Sequence, residues 1–270
     1  MKFGVCLNMN AKGPDGTGIE AIEKIAEIGY DYAELPLAEM AALPEEDFEA
    51  LVRRVRASDI PCETCNNFFP KTMRLTGETA DHPGALRYAE TALARAERLG
   101  AKVVVFGSGG AKNVPEGFPL EEGFAQVVSL LKGIGPLAEK RGVTIAIEPL
   151  RKAECNLINT FYEGCRLAEA VDHPSVRVLV DYYHFTTERE PVAHLLNEGS
   201  EYLRHTHFAR VEGRSFPKDA VEDEGYRPYF DAFNKIGYDA RVSLEAYSSD
   251  LESEAPAALA FFKANLQGRV

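Results

Sequence analysis

Short apolar runs alternate with longer amphipathic segments along the whole chain. Phe3–Leu7 reads as a first strand. Ile19–Ile28 reads as a helix closed by Gly29, and Tyr32–Leu35 as a second strand. Glu45–Ser58 carries Phe48, Leu51, Val52 and Val55 on one stripe, which predicts a helix behind Pro44. A third strand begins over Pro61–Thr64, followed by a helix over His82–Leu99 and its Gly100 stop. Lys102–Phe106 is a wholly apolar strand. Leu120–Lys140 is helical in pattern, with Gly133, Gly135 and Pro136 expected to bend or split it. The rhythm continues with Val143–Ile147 (strand), Thr160–Ala170 (helix), Val176–Val180 (strand) and Pro191–Asn197 (short helix). It closes with Leu203–His207 (strand), Pro228–Ile236 (helix), Arg241–Glu245 (strand) and Ala255–Asn265 (helix).

Eight strands therefore alternate with eight helical segments. Runs such as VVVFG and TIAIE are apolar on both faces, as buried parallel strands are. The pattern predicts an α/β fold, a single (β/α)8 TIM barrel spanning residues 1–270 as one domain. A doubly wound sheet would place GxGxxG after its first strand. Here Gly13, Gly16 and Gly18 have the wrong spacing.

Composition narrows the function. The 270 residues are 45% hydrophobic and 27% charged, which excludes disorder as the main state. A net charge of −12 disfavours nucleic acid and anionic membranes as partners. No apolar run approaches the ~18 residues of a membrane span. The N-terminal MKFGVCLNMN lacks the apolar core of a signal peptide, so a cytoplasmic location is expected. Five cysteines (Cys6, Cys62, Cys65, Cys155 and Cys165) are too few and odd in number for a disulfide framework. Cys62 and Cys65 have CxxC spacing. They lie in a strand, where residues three apart are expected to face opposite sides, so a redox role is not expected.

Polar residues collect at the C-terminal ends of the predicted strands, the active-site face of such a barrel. Strand 5 ends in Glu148, strand 6 in Asp181, strand 7 in His207 and strand 8 in Glu245. Three converging carboxylates repel one another unless a cation offsets them. The O,O,N,O set suits one divalent ion such as Mn2+, Co2+ or Mg2+, and not a structural zinc. Glu154, His184, Arg210 and Arg214 form a second layer, in which His184 and Arg214 could hold substrate oxygens. His205 shares a strand face with His207 and reads as a supporting or core histidine.

The segments IEPLRKAECNLINT (147–160), LVDYYH (179–184), HTHF (205–208), SLEAY (243–247) and CNNFFP (65–70) carry a resemblance. The chain resembles the xylose isomerase-like sugar isomerase/epimerase superfamily, and within it the ketose 3-epimerases that act on tagatose and psicose. The resemblance covers nearly the whole chain. It implies a barrel with one divalent metal, most often Mn2+ or Co2+, held by Glu148, Asp181, His207 and Glu245. Glu148 and Glu245 would double as the catalytic acid/base pair, and Glu154 and His184 would contact the substrate. The family's substrate-binding arginine follows the metal histidine by six positions. Gly213 stands there in this chain, with Arg214 one residue on. The following SFPKDAVEDEGYRPYF, with Glu222, Asp223 and Glu224, also departs from the family pattern.

The expected activity is metal-dependent proton transfer beside the carbonyl of a ketose, through a metal-bound enediolate and leading to C3 epimerisation. The alternatives are an isomerase, lyase or decarboxylase on an oxidised or acidic sugar derivative, and a catalytically silent sugar-binding protein. An endonuclease-IV-like enzyme on the same barrel would need more histidines than six and a basic face. Family members are often dimers or tetramers, so a homo-oligomer is expected. Phe68, Phe69, Tyr247 and Phe261–Phe262 serve either an interface or the core.

Overall fold

The computed structural model describes residues 1–218 and 225–266. Glu222, Asp223 and Glu224 therefore lie outside the described residues. Eight parallel strands close into a barrel in sequence order: β1 (Lys2–Cys6), β2 (Tyr32–Pro36), β3 (Cys62–Asn66), β4 (Val103–Phe106), β5 (Thr144–Ile147), β6 (Val176–Asp181), β7 (Leu203–Phe208) and β8 (Arg241–Leu244). Closure is by β1 pairing with β8, with Phe3 opposite Val242 and Val5 opposite Leu244.

The helices wrap the barrel. They are α1 (Ile22–Ile28), α2 (Leu37–Ala42), α3 (Glu45–Ala57), α4 (His82–Leu99), α5 (Gly109–Lys112), α6 (Leu120–Glu139), α7 (Phe161–Val171), α8 (Tyr182–Thr187), α9 (Val192–Tyr202), α10 (Arg227–Lys235) and α11 (Leu251–Leu266). Local chemistry accounts for several of their ends. In α3, Glu45, Glu46 and Asp47 occupy the first turn and Arg54 and Arg56 the last, each complementing the helix dipole. The α7 N-terminus is a capping box, in which Thr160 accepts from the Glu163 backbone N–H and the Glu163 carboxylate reaches back.

Three differences from the sequence expectation have physical causes. First, α6 runs unbroken through Gly133, Gly135 and Pro136. Gly133 packs against Leu86 of α4 and Gly135 against the His173 ring in the turn after α7, so close neighbours support this stretch and it does not split. Second, α2, α5 and α8 were not expected; they are four to six residues long, α2 and α8 directly following β2 and β6 and α5 following β4 after two intervening residues. The helix expected over Pro191–Asn197 also extends to Tyr202 as α9. Third, Cys62 and Cys65 do not face opposite sides of β3. The β2–β3 register shifts between Ala33 and Glu34, a bulge that brings both thiols into one core and into contact. Both are buried free thiols in a strand, away from any helix N-terminus.

Most apolar side chains pack between strands and helices. Phe68, Phe69, Phe261 and Phe262 belong to this core, whereas Tyr247 is 54% exposed. Inside the barrel a small apolar cluster (Val103, Val105, Ala146 and Leu179) sits beside a buried polar group: Tyr32, Glu34, Thr64, His205 and Ser243. Among the described residues, no helix is long and apolar enough to cross a membrane.

Candidate active site

The strand ends place four side chains at one point. Glu148 follows β5, and its backbone N–H donates to the Phe106 carbonyl at 3.2 Å. Asp181 ends β6 and caps α8, with Oδ1 accepting from the Tyr183 N–H at 2.9 Å. That bond leaves Oδ2 aimed into the barrel mouth. His207 lies within β7, and Glu245 follows β8. One ligand atom from each of Glu148, Asp181, His207 and Glu245 lies within 4.8 Å of all the others, and all four residues are buried. His207 Nδ1 is 3.2 Å from Glu148 and 3.3 Å from Glu245.

Backbone detail shapes this cluster. A Cβ at Gly107 would stand 2.2 Å from Glu148 Oε2, so glycine leaves the space the carboxylate uses. Below it the fully buried Lys112 donates from Nζ to the Glu148 carbonyl at 3.0 Å. Asn66, at the end of β3, donates to Glu245 Oε1 at 3.3 Å.

The electrostatics of this cluster favour a cation among its carboxylates. Burial pushes the Asp181 carboxyl up to about 7, and Glu245 and Glu148 reinforce that push. Burial and the neighbouring Glu245 likewise raise Glu148. Burial works the same way on Glu245, but Arg214 and His207 outweigh it and hold this carboxyl at about 2. Three buried, mutually repelling carboxylates closed on one imidazole nitrogen form a donor set suited to a hard or borderline divalent cation.

The second layer is also assembled. Gly213 (φ 68°) and Arg214 (φ 46°) are consecutive left-handed residues after β7. This turn carries the Arg214 guanidinium over the Tyr183 ring, 5.0 Å from its centroid. There it meets Glu245 and lies 3.5 Å from Asp181 and 4.0 Å from Glu154. The extra residue between His207 and this arginine is thus taken up by the turn. Glu154 is oriented by Arg151 at 2.6 Å. His184 Nδ1 accepts from the Arg151 backbone N–H at 3.3 Å, so the ring carries its proton on Nε2. That Nε2 is buried, has no hydrogen-bond partner among the described residues, and faces Asp181 at 3.6 Å and Glu154 at 3.9 Å. Burial and nearby Arg214 depress His184 to about 3, so it is a neutral donor. Arg210 points elsewhere, toward Ser215 and Glu212.

Sequence reasoning missed Glu34, Asn66, Lys112 and Arg151. Glu34 had a legible signal, being a carboxylate inside the otherwise apolar run YAELP.

The Xylose isomerase-like TIM barrel family model matches residues 22–265. The chain belongs to this family. Among its relatives is a D-psicose 3-epimerase of Ruminiclostridium cellulolyticum, 28% identical over 123 residues, or 44% of this chain and 40% of that protein. The match thus spans less than half of that relative's length. A D-psicose 3-epimerase of Agrobacterium fabrum is 24% identical over 236 residues, covering 84% of this chain and 78% of the relative. The fold is also that of a D-psicose 3-epimerase crystallised in the presence of D-fructose. That structure superposes with a TM-score of 0.85 at 20% identity, covering 99% of this chain and 100% of the other.

Proposed function

We propose that this protein is a divalent-metal-dependent sugar epimerase that inverts the carbon beside the carbonyl of a ketose, at C3. The observation that carries the reading is the placement of Glu148 and Glu245, from β5 and β8, on either side of His207 Nδ1 at 3.2 and 3.3 Å. Two carboxylates that flank one cation position suit removal of a proton from one face of a carbon and delivery to the other. The relatives named above are epimerases of such sugars, which agrees with this assignment.

Glu148, Asp181, His207 and Glu245 would hold the ion, for which Mn2+ is the proposed identity because three of the four donors are carboxylate oxygens. When bound, the cation supplies Lewis-acid polarisation of the substrate carbonyl, which makes the adjacent C–H acidic enough for a carboxylate base. One of Glu148 and Glu245 takes the C3 proton, and the bonding electron pair moves toward the carbonyl oxygen. The other glutamate enters protonated and delivers that proton to the opposite face, and exchange with water returns the pair to its starting state, so nothing is gained or lost overall. His184 Nε2–H and Arg214 donate to substrate oxygens, and Glu154 accepts from a hydroxyl.

The test is to incubate the Mn2+-loaded protein in D2O with ketopentoses, ketohexoses, keto-glycosides and keto-sugar acids. Metal-dependent deuterium at C3 together with the C3 epimer is expected. Loss of mass, or exchange confined to oxidised or acidic sugars, would move the reaction to the lyase or modified-sugar class.

A further inference from the structure

Glu34 lies on β2, across the barrel from β7, and is fully buried. Its Oε1 accepts from His207 Nε2 at 3.0 Å. Its Oε2 accepts from His205 Nε2 at 2.9 Å, Thr64 Oγ1 at 2.7 Å and Ser243 Oγ at 2.5 Å. The Ser243 hydroxyl is in turn 2.7 Å from the Tyr32 hydroxyl, which supplies it with a donor. Four donors thus converge on two oxygens and saturate the acceptor capacity of an ionised carboxylate. An ionised carboxylate can only accept, so each of these neighbours must turn a donor toward it.

For His207 the consequence is specific. With Nε2–H committed to Glu34, the lone pair of a neutral ring stays on Nδ1, the atom between Glu148 and Glu245. The ring plane is also pinned, because a flip would put a carbon against Glu34. We propose that Glu34 is a positioning residue that fixes the tautomer and orientation of His207, so that Nδ1 can serve as the single nitrogen donor of the metal site. Its negative charge strengthens that donor, and a dication on the far side of the ring offsets the burial of the anion. The inference rests on the metal reading given above. His205 has a different part. Its Nδ1 has no hydrogen-bond partner among the described residues, and it contributes one more donor to Glu34 without reaching the cluster.

The test compares the wild-type chain with Glu34→Ala, Glu34→Gln and Tyr32→Phe. The last disturbs the same buried group without touching His207. Mn2+ affinity is measured by chelator competition, and histidine 15N shifts are recorded with Zn2+ as the diamagnetic probe. In the wild type, His207 should show a metal-bound Nδ1 and a hydrogen-bonded Nε2–H. Glu34→Ala should lose that Nε2–H signature and about 10- to 100-fold in affinity. Glu34→Gln, which keeps the shape and loses the charge, should lose about tenfold and carries the test if the alanine variant does not fold. Tyr32→Phe should bind as the wild type does. Wild-type affinity and unchanged His207 shifts in the Glu34 variants would overturn this proposal alone. A wild type that binds no divalent ion would overturn the metal reading and this proposal with it.

Discussion

The guanidinium of Arg214 lies 3.5 Å from Oδ2 of Asp181, although the two residues are 33 positions apart on successive βα loops. The same guanidinium meets Glu245 and, at 4.0 Å, Glu154. One arginine therefore ties together carboxylates that follow β5, β6 and β8. It arrives there because Gly213 and Arg214 turn left-handed in succession.

Removing either half of this arrangement should reduce turnover. Arg214→Ala deletes charge-assisted hydrogen bonds worth about 1.5–3 kcal/mol, so kcat/KM should fall about 10- to 100-fold. Gly213→Ala puts a Cβ at φ 68°, which costs about 1–2 kcal/mol locally and should misplace Arg214. Steady-state kinetics on the responsive ketose checks both. An Arg214→Ala enzyme with unchanged kcat/KM would remove Arg214 from the site.

The acid/base assignment makes a sharper demand. Glu148→Gln and Glu245→Gln should each lower C3 deuterium exchange by about 10²- to 10⁴-fold, with melting curves close to that of the wild type. Retained exchange in either variant would show that its carboxylate moves no proton.

Metal affinity should depend on pH with a defined sign. Burial holds Asp181 at about 7 in the metal-free protein. A proton there competes with the cation, so lowering the pH below 7 should cost about tenfold in Mn2+ affinity per pH unit, with a shallower slope above. A chelator titration that is flat from pH 5.5 to 8 would contradict this.

Gly107→Ala tests the space reserved for Glu148. The new Cβ would stand 2.2 Å from Oε2, so the carboxylate must swing away. Exchange activity and Mn2+ affinity should both drop at least tenfold, while stability falls by no more than about 1–3 kcal/mol. Calorimetry and exchange on the same preparation separate the two effects. Full activity would mean that Glu148 does not need its observed position.

The barrel was legible because each strand is a short apolar run and each long helix has a periodic apolar stripe. His82–Leu99 was read to the residue, as its asparagine-like cap, Asp81, accepts from the Gly84 N–H and Gly100 ends it. The helices α2, α5 and α8 were not legible, since four to six residues complete too few turns to show a period. The Cys62–Cys65 relationship was misread because a bulge changes the parity of β3, and nothing within CETC marks it. Glu34 carried a signal within YAELP, but its role depends on His205 and His207 from a distant strand, which no local pattern shows.

By itself the sequence determined the eight-fold alternation and put Glu148, Asp181, His207 and Glu245 at consecutive strand ends. These are local properties, set by side-chain period and by where each apolar run stops. Only the tertiary structure decided that Arg214 reaches the cluster, that His184 presents a bare Nε2–H to it, and that Glu34 backs His207. The Glu34 contact joins residues 173 positions apart. It exists because β1 pairs with β8 and closes the sheet, which brings the inner faces of β2 and β7 together in one interior. Such a contact depends on closure, register and one bulge together, and no single stretch of the chain encodes all three.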